Sequence, residues 1–304
     1  MSNRKAIEIR DLHKSYGTVR ALQGVNIDVD QGEIFGFLGP NGAGKTTTIR
    51  CMLDMIRPQS GSIRVLGFDP QKDPKSVHAK VGYLPGELNL EANMKVSSTL
   101  RYFVDLRGNR VDWDYALHLA SRLNLDLDMP VKNLSKGNKQ KVGLVQALMH
   151  KPELLIMDEP TSGLDPLMQQ EVYRILRQSK DEGSTVFFSS HVINEVESLA
   201  DRVAIISKGK VVEEAEPGKL IKMEIRRMQV RFKEPVDMNP LAEVAGVAIQ
   251  SQNGGNQVTL RVEGDLDAVI KALAKFPVSD MDLQRQSLED AFLAYYQDDR
   301  LEVS

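Results

Sequence analysis

An apolar run, Ile34-Phe-Gly-Phe-Leu38, enters a glycine-rich turn, Gly39-Pro40-Asn41-Gly42-Ala43-Gly44-Lys45-Thr46, and leaves it as a polar helix start at Thr47. The turn fits G-x-x-x-x-G-K-[ST] in the order strand, loop, helix. That order leaves few folds open. A phosphate needs many donors at close range, so side-chain-free glycines let backbone N–H groups wrap it, and the N-terminus of the helix adds its partial positive charge. Lys45 would neutralise the β- and γ-phosphates of a nucleotide, and Thr46 would ligate Mg²⁺. The helix is expected to run from Thr47 to Ile56.

What the nucleotide does depends on a second strand. Leu154-Leu-Ile-Met157 ends in Asp158-Glu159, and a third, Thr185-Val-Phe-Phe188, ends in Ser189-Ser-His191. All three strands place polar residues at their C-terminal ends, where open α/β sheets bind ligands. A buried run can deliver Asp158 to Mg²⁺, and Glu159 can polarise a water for in-line attack on the γ-phosphate, as a general base.

Ala6–Arg10, Gly24–Val29 and Ser62–Leu66 alternate polar with apolar residues, as half-exposed antiparallel strands do. Residues 97 to 150 are mostly of helical period, with Leu100, Phe103, Val104 and Leu106 in one cluster and Val142, Val145, Leu148 and Met149 in another. The chain therefore reads as α/β with a mixed sheet, an antiparallel β subdomain and an α-helical subdomain. Glu213-Glu-Ala-Glu-Pro-Gly218 is a breaker-rich junction, dividing residues 1–214 from a C-terminal domain at 215–304. That tail reads β-α-β-β-α-β, with strands at Met228–Phe232, Val247–Gln250, Gln257–Val262 and near Met281, and helices near Met238–Glu243 and at Asp265–Lys275. This is the order of a small ferredoxin-like α+β domain. Ser287-Leu-Glu-Asp290 opens a last helix carrying Leu288, Phe292, Tyr295 and Tyr296.

With 304 residues, 41% hydrophobic and 27% charged, the composition is globular and excludes disorder and fibre. The net charge of −3 provides no overall basic field for nucleic acid. A single cysteine, Cys51, cannot form an internal disulfide, and Met1–Arg10 lacks the apolar stretch of a signal peptide, which points to the cytosol. No apolar run approaches the roughly 18 to 20 residues of a membrane-spanning helix.

Taken together these motifs resemble the nucleotide-binding subunits of ABC-type transporters, over about residues 6 to 214. Leu134-Ser-Lys-Gly-Asn-Lys-Gln140 resembles the signature motif, Ser162-Gly-Leu-Asp165 the D-loop, His191 the switch histidine, and Tyr16 the aromatic residue that stacks on adenine. The resemblance implies a P-loop NTPase using ATP and Mg²⁺, and a head-to-tail homodimer or pseudo-dimer of ATPase domains. Each ATP would lie between one subunit's loop, from Gly39 to Thr47, and Ser135, Gly137 and Asn138 of the other. His191 would hold the γ-phosphate and the attacking water, with Asp165 positioning groups across the dimer. The signature carries Lys136 and Asn138 where the family commonly has small residues. In Val81-Gly-Tyr-Leu-Pro-Gly-Glu87, Gly86 stands where the family has a metal-sensing glutamine, and Glu87 is the substitute if the loop shifts.

The tail, including Ser287–Leu293, resembles the C-terminal extension of some exporter-type members. The implied function is an ATPase, cytoplasmic and peripheral on the inner face of the cell membrane, that powers export through a separate membrane-spanning permease. A soluble ABC-type ATPase acting on ribosomes or nucleic acid is the alternative. It is disfavoured by the single ATPase domain, the lack of a heptad run between Lys45 and Asp158, and the acidic balance.

Overall fold

A computed structural model describes residues 4–108, 111–220 and 225–285. The chain separates into two compact units, Met1–Pro217 and Gly218–Ser304.

In the first unit, β1 (Lys5–Tyr16), β2 (Val19–Asp30) and β4 (Ser60–Val65) form an antiparallel sheet in the order β2-β1-β4. The strands alternate as expected but are longer. β1 and β2 continue to a tight hairpin at Gly17-Thr18, and register shifts along the pair absorb the stretches where alternation lapses. β4 ends at Val65, one residue short of the expectation, because Leu66 turns left-handed at φ 51°.

The larger sheet runs β5-β6-β7-β3-β8-β9, where β3 is Ile34–Leu38, β5 Val81–Leu84, β6 Leu154–Asp158, β7 Thr185–Ser190, β8 Arg202–Ser207 and β9 Lys210–Ala215. All are parallel except β9, which pairs antiparallel to β8. Every residue of β3, β6 and β7 is buried, the signature of parallel strands covered on both faces. Phe35 stacks on Phe187 at 5.8 Å between ring centroids, and Phe37 meets the same ring at 5.6 Å. Burying a ring of this kind stabilises by about 2–3 kcal/mol. β9 takes in Glu213 and Glu214, which the sequence assigned to the junction, because both pair with β8 in an alternating edge strand.

Helices α1 (Lys45–Met52), α2 (Pro74–Lys80), α3 (Val96–Arg107), α4 (Trp113–Arg122), α5 (Lys136–Leu148), α6 (Pro166–Asp181) and α7 (Ile193–Leu199) complete this unit, and the short α8 (Pro217–Leu220) spans the junction. α1 starts earlier and stops sooner than the expected Thr47–Ile56. Leu53 caps it and Asp54 turns left-handed at φ 50°, so Met55 and Ile56 are bonded back to the Arg50 carbonyl instead of extending the helix. In α3 the apolar cluster is only partly buried. Leu100 is fully covered, whereas Leu106 is 65% exposed.

The second unit contains β10 (Ile225–Phe232), α9 (Asn239–Ala242), β11 (Val247–Asn253), β12 (Gln257–Glu263), α10 (Asp267–Leu273) and β13 (Val278–Arg285), with antiparallel strands in the order β11-β12-β10-β13. Its core joins Met228, Val230, Phe232, Val258, Leu260 and Val262 of the sheet to Leu241, Val269 and Leu273 of the helices. The helix expected from Ser287, with Leu288, Phe292, Tyr295 and Tyr296, lies outside the described residues, as does the resemblance at Ser287–Leu293.

Candidate functional site

β3 is the point at which the strand order reverses, with β7 on one side and β8 on the other. Crevices that bind ligands open at the C-terminal ends of strands at such a point. Here those ends carry the glycine-rich loop after β3, Asp158 as the last residue of β6 with Glu159 after it, and His191 after β7, on three adjacent strands.

The loop from Gly39 to Thr47 wraps into the start of α1. Gly44 is the N-cap at φ 115°, with no side-chain cap, so the first-turn amides of α1 are left for an anion. A Cβ at Gly44 would also lie 2.8 Å from the Ala21 carbonyl, so glycine is required on both counts. Asn41 and Gly42 form the exposed tip, with Pro40 half-buried behind it, while Ala43 is buried against the core. Thr47, the third residue of α1, is half-buried.

Lys45 is only 6% exposed. Its Nζ donates to the carbonyls of Gly39 at 2.6 Å and Pro40 at 3.1 Å, and lies 3.7 Å from Glu159 Oε1. Burial pushes its pKa down, opposed by the Glu159 and Asp158 charges. An ammonium held this way costs little to hand to a phosphate, since its partners are weak acceptors and one exchangeable carboxylate.

Thr46 Oγ1 donates to Asp158 Oδ2 at 2.6 Å, and the other Asp158 oxygen accepts from Ser189 Oγ. The pair of hard oxygens, a hydroxyl and a carboxylate, fits Mg²⁺, which takes one or two protein ligands and fills its shell with phosphate oxygens and water. Among the described residues no group of three or more His, Cys, Asp or Glu side chains is arranged to hold a metal ion.

Glu159 stands in the left-handed region at φ 54°. Its N–H donates to Ser189 O at 3.1 Å and Ser189 Oγ at 3.2 Å, and its carbonyl accepts from Gln140 Nε2 at 2.9 Å. Its carboxylate meets His191 Nδ1 at 2.8 Å, while the His191 ring is 47% exposed. The turn that carries His191 is tied down from behind. Ser190 Oγ donates to buried Glu195 and accepts the Val192 N–H at 2.8 Å, and burial raises the Glu195 carboxyl above its ordinary range.

The remaining candidates stand apart from this cluster, and two of them, Ser135 and Asp165, cap helices. Ser135 is exposed and caps α5, its Oγ accepting the Asn138 N–H at 3.2 Å. Asp165 caps α6 by accepting the Met168 N–H at 3.0 Å. Gly137 is buried, and a Cβ there would lie 2.4 Å from the Gly163 carbonyl, so the signature segment and the D-loop pack backbone to backbone. Tyr16 is 47% exposed at the end of β1, with Lys14 Nζ 5.3 Å from its ring centroid. Glu87 is exposed and is not among the partners of Thr46 or Asp158. Gly86 faces Asp158 instead, since a Cβ there would come within 3.2 Å of Asp158 Oδ2.

Three residues at this site had no role assigned from the sequence: Ser189, Glu195 and Gln140. Ser189 was visible as a polar end to a buried strand. Gln140 closes the stretch that resembles the signature motif, but a glutamine beside Lys139 and Lys141 reads as solvated rather than as a donor to a buried turn.

The ABC transporter family model matches residues 22–162. The chain is 40% identical over 211 residues to the bacitracin transport ATP-binding protein BcrA of Bacillus licheniformis, covering 68% of this chain and 69% of that protein. It is 30% identical over 308 residues to the daunorubicin/doxorubicin resistance ATP-binding protein DrrA of Streptomyces peucetius, covering 95% of this chain and 92% of that one. A solved ATP-binding subunit of an ABC transporter superimposes with a TM-score of 0.64 at 29% identity, over 71% of this chain and 91% of the other.

Proposed function

The chain belongs to the ABC transporter family as an ATP-binding subunit, and on that premise we propose how its residues bind and hydrolyse ATP and what the hydrolysis drives. It is an ATPase that powers transport through a separate membrane subunit. Among the described residues no helix is long and apolar enough to cross a membrane.

The observation that carries the residue roles is the convergence of Lys45, Thr46, Asp158, Glu159 and His191 at the ends of three adjacent strands. The loop amides and Lys45 take the β- and γ-phosphates, and Lys45 exchanges Glu159 for phosphate oxygen when ATP binds. Thr46 and Asp158 hold Mg²⁺, which when bound offsets the phosphate charge; Glu87 enters the metal set only if its loop shifts. Glu159, released from Lys45, accepts the proton of the attacking water, and His191 keeps its carboxylate and the γ-phosphate in register. Tyr16, exposed at the edge of the unit, stacks on the adenine.

Ser135 is exposed at the start of α5 and, with Gly137 and Asn138 beside it, completes the ATP site of a second copy, with Asp165 reaching across the same interface. The exposure of Ser135 and Asp165, and their distance in role from the Lys45 cluster, support this arrangement.

Residues 1–214 form the ATPase domain and 215–304 an accessory domain. The tail's element order and its sheet order β11-β12-β10-β13 support a ferredoxin-like reading. The protein works at the inner face of the cell membrane. Relatives named for bacitracin transport and for daunorubicin/doxorubicin resistance support export of amphipathic compounds. Tagged protein purified in mild detergent from its own cells should bring down a stoichiometric polytopic membrane protein; ribosomes or nucleic acid in its place would move the assignment to the soluble class.

A further inference from the structure

Glu159 is strained at the residue where strain matters. A non-glycine residue in the left-handed region persists only where its surroundings hold it, and such residues gather at functional sites. Glu159 is held at both ends of its own peptide units. Ser189 takes the N–H. On the other side, Gln140 donates one amide hydrogen to the Glu159 carbonyl at 2.9 Å and the other to the Pro160 carbonyl at 3.2 Å. A carboxamide has two such hydrogens, so both are spent on consecutive carbonyls of this one turn. Gln140 is 4% exposed, and losing its donors would leave two carbonyls without these bonds in a place water reaches poorly.

We propose that Gln140 is a positioning residue for Glu159: from α5 it fixes the left-handed backbone that aims the carboxylate between Lys45 and His191. The inference rests on Glu159 being the general base. It also has a structural corollary. Gln140 lies on α5, the helix that Ser135 caps, and Gly137 of the same helix abuts Gly163 of the D-loop. The segment presented to a second subunit is thereby bonded directly to the base of its own subunit, so a push on the start of α5 is felt at Glu159 through two hydrogen bonds.

The test is a double-mutant cycle on the full-length protein. Gln140→Met removes both donors at nearly constant volume. kcat should fall at least about tenfold, while ATP affinity, read by nucleotide titration, changes less than about twofold. In a Glu159→Gln background the residual single-turnover rate should not respond to Gln140→Met at all, because the group being positioned is gone. Gln140→His, which retains one N–H donor, should recover part of the lost rate, and it serves as the test if the methionine variant fails to fold. An unchanged kcat, or the same fold-loss in both backgrounds, overturns the proposal and leaves Glu159 in its role. Full turnover by Glu159→Gln alone overturns the reading of Glu159 itself, and this inference with it.

Discussion

Glu159 Oε1 and His191 Nδ1 are 2.8 Å apart, closer than the 3.7 Å that separates the same oxygen from Lys45 Nζ. The carboxylate is thus held by an exposed ring that can swing with a ligand and contacted more loosely by the buried ammonium that a phosphate would claim. Replacing Glu159 by Gln preserves shape and hydrogen-bond reach but removes the carboxylate proposed as the proton acceptor. Hydrolysis should fall by about 10²–10⁴-fold with ATP binding intact. The variant should therefore accumulate as an ATP-bound dimer, seen by size-exclusion chromatography in ATP and Mg²⁺; a monomer with full turnover would contradict both assignments.

Lys45→Ala should act one step earlier. The ammonium is pre-placed by two loop carbonyls and is already largely desolvated, so much of the cost of bringing it to a phosphate has been met in folding. Its loss should weaken ATP binding at least about tenfold, measured with a fluorescent nucleotide, with little change in melting temperature.

Ser135 permits a sharper separation. Its Oγ caps α5, and it is also the hydroxyl proposed to meet the γ-phosphate of a second copy. Ser135→Asp should keep the helix cap, since aspartate serves there as well as serine, and so hold stability within about 0.5 kcal/mol. The added carboxylate should nonetheless repel the phosphate and suppress hydrolysis, while ATP affinity of the monomer stays unchanged. A loss of monomer affinity would place Ser135 in its own subunit's site.

The parts of this molecule that were legible in advance are those whose chemistry leaves a local trace. The strand, loop and helix around Lys45 could be read because phosphate binding demands a fixed spacing, and β3, β6 and β7 because wholly buried strands are continuously apolar. Gln140 was not legible: nothing local distinguishes a glutamine that bonds a loop 19 positions on from one that faces water. Gly137 shows the same limit from the other side. As part of a motif it reads as a phosphate contact, but its approach to Gly163 imposes an independent requirement for glycine within the subunit. The end of α1 was misjudged because the left-handed turn at Asp54 has no glycine to announce it.

The division of the chain predicts that residues 1–217 fold alone. β9 closes the larger sheet and the second unit has its own core of Met228, Phe232 and Leu260. A fragment ending at Pro217 should melt cooperatively and bind ATP with affinity within about twofold of the full chain. Aggregation of that fragment would move the boundary or join the two cores.

His150 should set an acid limit on stability. Two residues beyond α5 it is half-buried, its Nε2 lies 3.3 Å from the Val81 carbonyl, and its buried Nδ1 has no partner. Burial, with the nearby Arg107 charge, lowers its pKa from 6.5 to about 4. The unfolded chain therefore takes up a proton as pH falls below 6.5, whereas the folded chain declines it until about 4. By linkage, this contribution is fully present above the unfolded value and is lost as pH falls through the folded one. Glu195, raised by burial, works in the opposite sense: its contribution is present at acid pH and lost as pH rises. The two are separated by substitution. Wild-type protein should lose about 2 kcal/mol more than His150→Leu between neutral pH and pH 4, in urea unfolding at a series of pH values. Parallel pH curves for the two proteins would show that His150 titrates in the folded state as it does in the unfolded chain.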